Sequence, residues 1–175
     1  MAMNDLHPHE ARAVTGKGAL YLQFRIAEQR FALDVREVIE VLPRRALKPI
    51  AQAPSWVVGV LAHRGALIPV IDLSALSFGV AAPSRGSTRL VLVHYRADPL
   101  RPDLQLGLVL EQATDTLRCQ PDEFQPYGLD NADAPYLGPV RQDSQGLLQR
   151  IRVDDLLPPA VRELLYPAGN GQVPA

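Results

Sequence analysis

The side chains that could do chemistry in this chain are few, and they are scattered along it. The four histidines are His7, His9, His63 and His94. Cys119 is the only cysteine, which excludes an intrachain disulfide and a multi-cysteine metal site. No phosphate-binding GxxxxGK[ST], zinc-protease HExxH or nucleophile-elbow GxSxG string is present. We therefore predict no catalytic residue, no metal site and no cofactor. An enzyme whose site is assembled from distant histidines and carboxylates is the alternative.

The overall charge argues against two classes of partner. Lysine and arginine number 18 against 19 acidic residues, a net charge of −1, so nothing draws the chain generally to nucleic acid or anionic lipid. Aromatic residues are 6% of the chain, too few to suggest a base-stacking surface. The longest apolar run, 56–62, is far shorter than the ~18 residues of a membrane span. We predict a cytoplasmic protein that meets a membrane only indirectly, through a partner.

The elements that must position these residues are mostly strands. Alternating apolar and polar residues, bounded by turn residues, predict a mainly β fold with roughly five strands in each half. The predicted strands cover residues 20–27, 31–35, 38–42, 55–62, 66–73, 90–95, 104–111, 114–119, 136–142 and 147–153.

Helical character is predicted only near the C-terminus. Asp154 could cap a short turn, and Pro158 and Pro159 could open a helix that runs to Tyr166. The stripe that this helix would bury consists of Val161, Leu164 and Leu165.

The organisation of the chain is predicted from its composition. Residues 1–18 and 167–175 are expected to form a flexible leader and a flexible tail around a single domain at 19–166. Small and polar residues between 78 and 88 suggest a boundary within that domain. The expected parts are lobe one at about 19–80, lobe two at about 88–157 and the C-terminal helix at about 158–166.

The segment 59–73, GVLAHRGALIPVIDL, is the most informative part of the chain. Two apolar runs flank a short polar break, and Gly65 can supply the positive φ of a tight turn. Arg64 at this turn could donate its planar guanidinium to a partner's carboxylate, or it could simply be solvated. His63 and Glu40 are open to the same two interpretations.

Taken in order, several segments resemble the CheW-like domain over residues 20–157. The matching pieces are FALDVREVIEV, APSWVVGV, HRG with ALIPVIDL, and LGLVLEQATDTLR. From the family string GVxNLRGxxxPVxDL this chain keeps Gly59, Val60, Arg64, Gly65, Pro69, Val70, Asp72 and Leu73. The resemblance implies two five-stranded SH3-like β-barrels around a shared hydrophobic core. It also implies a non-catalytic adaptor that couples the cytoplasmic tip of methyl-accepting chemoreceptors to the regulatory domain of a CheA-type histidine kinase.

The resemblance also implies roles for individual residues. Those expected at the receptor-binding site are Val38, Glu40, Ala62, His63 and Arg64, and the structural turn glycines are Gly59 and Gly65. The family's usual Asn-Leu before Arg-Gly is replaced here by Ala62-His63. This departure leads us to expect a dedicated receptor in a non-flagellar pathway such as surface sensing, as do Ser74, where the family often has a basic residue after VIDL, and Glu111, where its G-L-x-V-D string has aspartate.

Overall fold

The computed structural model describes residues 18–127 and 131–167, and this part of the chain is mainly β, as predicted. It contains nine strands: β1 (Ala19–Ile26), β2 (Gln29–Asp34), β3 (Val38–Pro43), β4 (Val57–His63), β5 (Ala66–Asp72), β6 (Arg89–His94), β7 (Gln105–Cys119), β8 (Leu137–Asp143) and β9 (Gly146–Ile151). Two short helices accompany them: α1 (Leu73–Phe78) and α2 (Pro159–Leu165). The predicted leader and tail lie outside the described residues except for Gly18 and Pro167.

Strand β7 belongs to two sheets. Its first part pairs with β6 and β5, and its second part pairs with β1. The two predicted strands 104–111 and 114–119 are therefore one continuous strand of 15 residues. The alternating pattern of β7 is interrupted at Gln112, where φ is 49°. At this point β7 changes its pairing partner, and the chain does not turn.

The two lobes are interleaved along the chain. Lobe A contains β1, β2, β9, β8 and the second part of β7, whereas lobe B contains β3, β6, the first part of β7, β5 and β4. The predicted division into 19–80 and 88–157 is therefore wrong. Its cause is the parallel pairing of β2 with β9, where Ala32 faces Arg150, because a contact between such distant residues leaves no local signal in the sequence.

Each five-stranded sheet closes through a short backbone bridge. In lobe B, Lys48 and Val60 exchange two hydrogen bonds of 3.0 and 2.8 Å. In lobe A, Gln125 and Val140 exchange two of 2.8 and 3.0 Å. The segments that follow the edge strands β3 and β7 thus cover the far edges, β4 and β8, an arrangement that fits the two expected barrels.

The apolar core has three parts. Leu42, Leu61 and Leu92 are among the side chains that fill lobe B, and Tyr21 and Leu148 are among those that fill lobe A. The largest cluster lies between the barrels and draws on both of them, through β1 and β2 from lobe A and β5 and β6 from lobe B. Strands that contribute to a barrel interior and to this shared core are buried on both faces, which explains the continuous apolar run of β6.

Helix α1 is not predicted by the sequence pattern. Leu73, predicted to end a strand, begins this helix instead. Asp72 caps it, because one carboxylate oxygen accepts from the Ala75 amide at 3.1 Å and the other from the Ala82 amide at 2.8 Å. The motif aspartate therefore shapes the chain after β5 and does not face a partner.

The C-terminal helix forms as predicted, but two details differ. Leu164 is 44% exposed, whereas Val161 and Leu165 pack against the shared core. The buried Tyr166, stacked on Tyr95 at 5.4 Å, takes the place expected for Leu164. Asp154 does not cap the following turn, because its carboxylate accepts from the Arg96 amide at 3.0 Å. Within 18–127 and 131–167, no helix is long and apolar enough to cross a membrane.

Glu37, at the junction of the lobes, lowers the free energy of unfolding by an amount that depends on pH. It lies in a 3₁₀ turn, Val35–Glu37, that joins β2 to β3. Among the described residues its Oε2 has no hydrogen-bond partner, and burial raises the pKa of the carboxyl from 4.5 to about 7. Because the folded pKa lies above the ordinary value, stability is lost as the pH rises from about 4.5 to about 7.

Glu37→Gln is expected to remove that cost. At pH 8 the variant should exceed the parent in free energy of unfolding by about 2 kcal/mol, a figure reduced for partial solvent screening. At pH 4, which lies below both pKa values, the parent carboxyl is mostly protonated in both states, and the advantage should largely disappear. Urea unfolding at the two pH values measures the difference, and an equal gain at both would contradict the assignment.

Candidate functional site

A bulge in β3 separates the two residues of its V-x-E element. Val38 pairs with Val93 and Glu40 pairs with Leu92, so Ile39 is the extra residue. Consecutive residues of β6 face opposite sides of the sheet, and their partners on β3 therefore do the same. Val38 packs against the shared core, whereas Glu40 lies on the face of Leu42, which points into lobe B.

The hairpin of β4 and β5 brings a second group of residues to the same place. Arg64 and Gly65 form its two-residue turn, with φ values of 50° and 79° that are typical of a type I′ turn. His63, two residues after the buried Leu61, projects on the inner side of lobe B at its rim. Ala62 lies on the opposite side and is exposed.

Glu40, His63 and Arg64 form a compact polar cluster. His63 Nε2 lies 2.8 Å from Glu40 Oε2, and Arg64 Nη2 donates to Glu40 Oε1 at 3.2 Å. The three side chains are 29%, 11% and 76% exposed, in the order Glu40, His63, Arg64. The hydrogen bond from His63, supported by Arg64, holds the pKa of Glu40 below its ordinary value of 4.5.

Arg45 is the member of this cluster that sequence reasoning missed. Its Nη1 lies 3.4 Å from His63 Nδ1, on the other side of the imidazole. The available signal is the basic pair Arg44-Arg45 directly after β3.

The structure thus brings together three of the five residues expected to bind a receptor. Glu40, His63 and Arg64 are in contact, Ala62 is exposed beside them in sequence, and Val38 is turned away towards the shared core. Exposed apolar side chains flank the cluster along its strands: Ile39, Val41 and Leu67. We name these three side chains, together with Glu40, Ala62, His63 and Arg64, the rim face: Val41, Ala62 and Leu67 lie on the outer side of the lobe B sheet, and Glu40 and His63 lie on its inner side at the rim.

The rim face combines exposed apolar side chains with a charged cluster. An apolar surface with a few charged groups at its edge is typical of a protein–protein contact. Across the described ranges, no group of three or more histidine, cysteine, aspartate or glutamate side chains is arranged to hold a metal ion. Cys119 is buried, and desolvation raises the pKa of its thiol.

Comparison with known proteins decides the family. The model of the CheW-like domain matches residues 20–160, which is most of the chain. The chain belongs to the CheW-like domain family. This family comprises non-catalytic scaffold and adaptor proteins of chemotaxis signalling, so the enzyme alternative is not supported.

Individual relatives agree with this membership. A chemotaxis protein CheW of Rhizobium meliloti is 27% identical over 116 residues, covering 66% of this chain and 71% of that protein. Protein FrzA of Myxococcus xanthus is 40% identical over 50 residues, 29% of this chain and 31% of that protein. The solved structure of the scaffolding protein TtCheW from Thermoanaerobacter tengcongensis has the same fold, with a TM-score of 0.73 at 19% identity over 94% of this chain and 99% of that chain.

Proposed function

We propose that this CheW-like chain is a cytoplasmic adaptor that joins the cytoplasmic tip of a methyl-accepting chemoreceptor to the regulatory domain of a CheA-type histidine kinase. The observation that supports this proposal best is the rim face. Its Glu40 and Arg64 stand at the positions that the family resemblance assigns to receptor contact, and they are held together beside exposed apolar side chains.

The chemistry of the rim face fits a helical receptor tip. Amphipathic helices bind to apolar surfaces through residues spaced three or four apart, and charged residues at the edge select the partner and its orientation. Leu67, at 76% exposure, and Val41 would supply apolar contact area. Arg64 would supply a planar donor for a carboxylate on the helix.

The Ala62-His63 pair supports a finer proposal, namely a dedicated receptor in a non-flagellar pathway such as surface sensing. A small apolar side chain stands where the family has an amide, and an imidazole stands where it has leucine. These changes lie within the rim face and alter both its shape and its hydrogen bonding. A receptor matched to the usual Asn-Leu pair would lose contacts here.

Reconstitution tests both levels of the proposal. Soluble tip fragments of each methyl-accepting receptor from the same cells are mixed with the CheA-type kinase, with and without this chain, and complexes are separated by sedimentation. We expect a ternary complex and altered kinase autophosphorylation only when the chain is present. Complexes that form equally well without it would contradict the adaptor role. Equal capture of every receptor would contradict the dedicated pathway alone.

A further inference from the structure

Part of the rim face lies on the seam of lobe B, which is the line between its two edge strands β3 and β4. In the part of the chain that the structure describes, β3 pairs along its length only with β6 and β4 only with β5, so β3 and β4 share no strand ladder. The backbone bridge between Lys48 and Val60 closes the barrel at one point. At the rim, the contact between Glu40 and His63 spans the same seam through side chains.

Arg45 and the Glu40 carboxylate indicate which nitrogen of His63 carries the proton. Arg45 Nη1 lies 3.4 Å from His63 Nδ1, and a guanidinium can only donate, so Nδ1 is the acceptor. A carboxylate can only accept, so Nε2, which lies 2.8 Å from Glu40 Oε2, carries the hydrogen and donates it there. Arg64 Nε lies 3.2 Å from the same Nε2, and Arg64 Nη2 donates to Glu40 Oε1 at 3.2 Å.

Both oxygens of the Glu40 carboxylate are therefore engaged inside the cluster. One accepts from His63 and the other from Arg64, which restricts the rotamers of Glu40 and orients the Arg64 guanidinium. A leucine at residue 63, as in the family string, could make neither the bond to Glu40 nor the one to Arg45. Glu40 would then be free to pair with a basic group of a partner, and ordering it would cost free energy at binding.

We propose that His63 is a positioning residue that sets partner specificity by holding Glu40 against Arg64. The partner it favours presents a carboxylate to the outer edge of Arg64 amid an apolar helical surface, and not a lysine or arginine to Glu40. This inference rests on the proposed receptor-binding function of the rim face. It does not require His63 to touch the receptor, because the side chain is only 11% exposed.

A double-mutant cycle tests the inference. His63→Leu, Glu40→Ala and the double variant are titrated by calorimetry against the receptor-tip fragment that the parent chain captures. We expect His63→Leu to weaken binding about tenfold, the value of a lost charge-assisted hydrogen bond, and to have no further effect when Glu40 is already alanine. His63→Gln, which keeps a donor for Glu40, should recover most of the affinity.

The possible outcomes separate this inference from the proposed function. Additive losses in the cycle, or unchanged affinity in His63→Leu, would overturn the positioning role while leaving receptor binding intact. A parent chain that captures no receptor fragment would overturn the proposed function, and the inference with it. Thermal unfolding of each variant shows whether it is folded, and ¹⁵N chemical shifts of the parent imidazole should show a protonated Nε2 and an unprotonated Nδ1.

Discussion

Gly59→Ala is expected to lower the free energy of unfolding by at least about 3 kcal/mol, which is roughly 6–12 °C in Tm for a domain of this size. A Cβ at residue 59 would lie 2.5 Å from the carbonyl oxygen of Lys48 and 3.1 Å from Leu47 Cβ. The backbone of Gly59 also has a φ of 151°, a value that residues with a Cβ rarely adopt. The substitution therefore pushes away the segment whose bridge to Val60 closes lobe B.

Gly65→Ala is the matched control for this substitution. Gly65 also has a positive φ, 79°, but no atom lies within 4 Å of a Cβ built there. Its loss should be limited to the backbone cost of about 1 kcal/mol. Thermal and urea unfolding of the two variants measure the difference. Equal losses would show that the close approach of Lys48 to Gly59 contributes nothing to closing the barrel.

Arg64→Ala is expected to weaken receptor capture at least about tenfold while leaving the fold intact. The guanidinium is 76% exposed, and the ion pair it makes with Glu40 is of the surface kind, which contributes little to stability. Glu40 keeps its contact with His63 in the variant. Binding should suffer because a planar, fully charged donor at the edge of an apolar contact is lost.

Two further variants make this result specific. Arg64→Lys keeps the charge but loses the planar fork, so its affinity should fall between those of the parent and Arg64→Ala. Arg152→Ala removes an exposed arginine that follows β9 in lobe A, and it should bind as the parent does. Titration of all three against one receptor-tip fragment gives the comparison. Parent-like affinity in Arg64→Ala would assign Arg64 to the solvated turn.

The patterns that predicted the fold correctly are local ones. Alternation placed most of the strands, and Pro158-Pro159 marked the start of the C-terminal helix. Helix α1 was not predicted because the strand pattern continues through Leu73, and only the tertiary structure shows that the Asp72 carboxylate accepts from two amides further along the chain. The interleaving of the lobes was not predicted because more than a hundred residues separate the paired strands β2 and β9 in the sequence.

The rim face shows the same division between local and tertiary information. The motif residues Glu40, His63 and Arg64 could be singled out from the sequence, but their contact could not, because Glu40 and His63 lie 23 positions apart on strands that share no ladder within the described chain. The separation of Val38 from Glu40 depends on a bulge, and strict alternation would have placed both on one face.

The sequence by itself determined the mainly β class, the hairpin at 59–73, the family and the residues to examine, because alternation, turn chemistry and motif spacing are properties of neighbouring residues. Only the tertiary structure decided which strands close each barrel and how Glu40, His63 and Arg64 meet. Those choices depend on how distant segments bury apolar surface together, and the seam between β3 and β4 exists only once the barrel has closed.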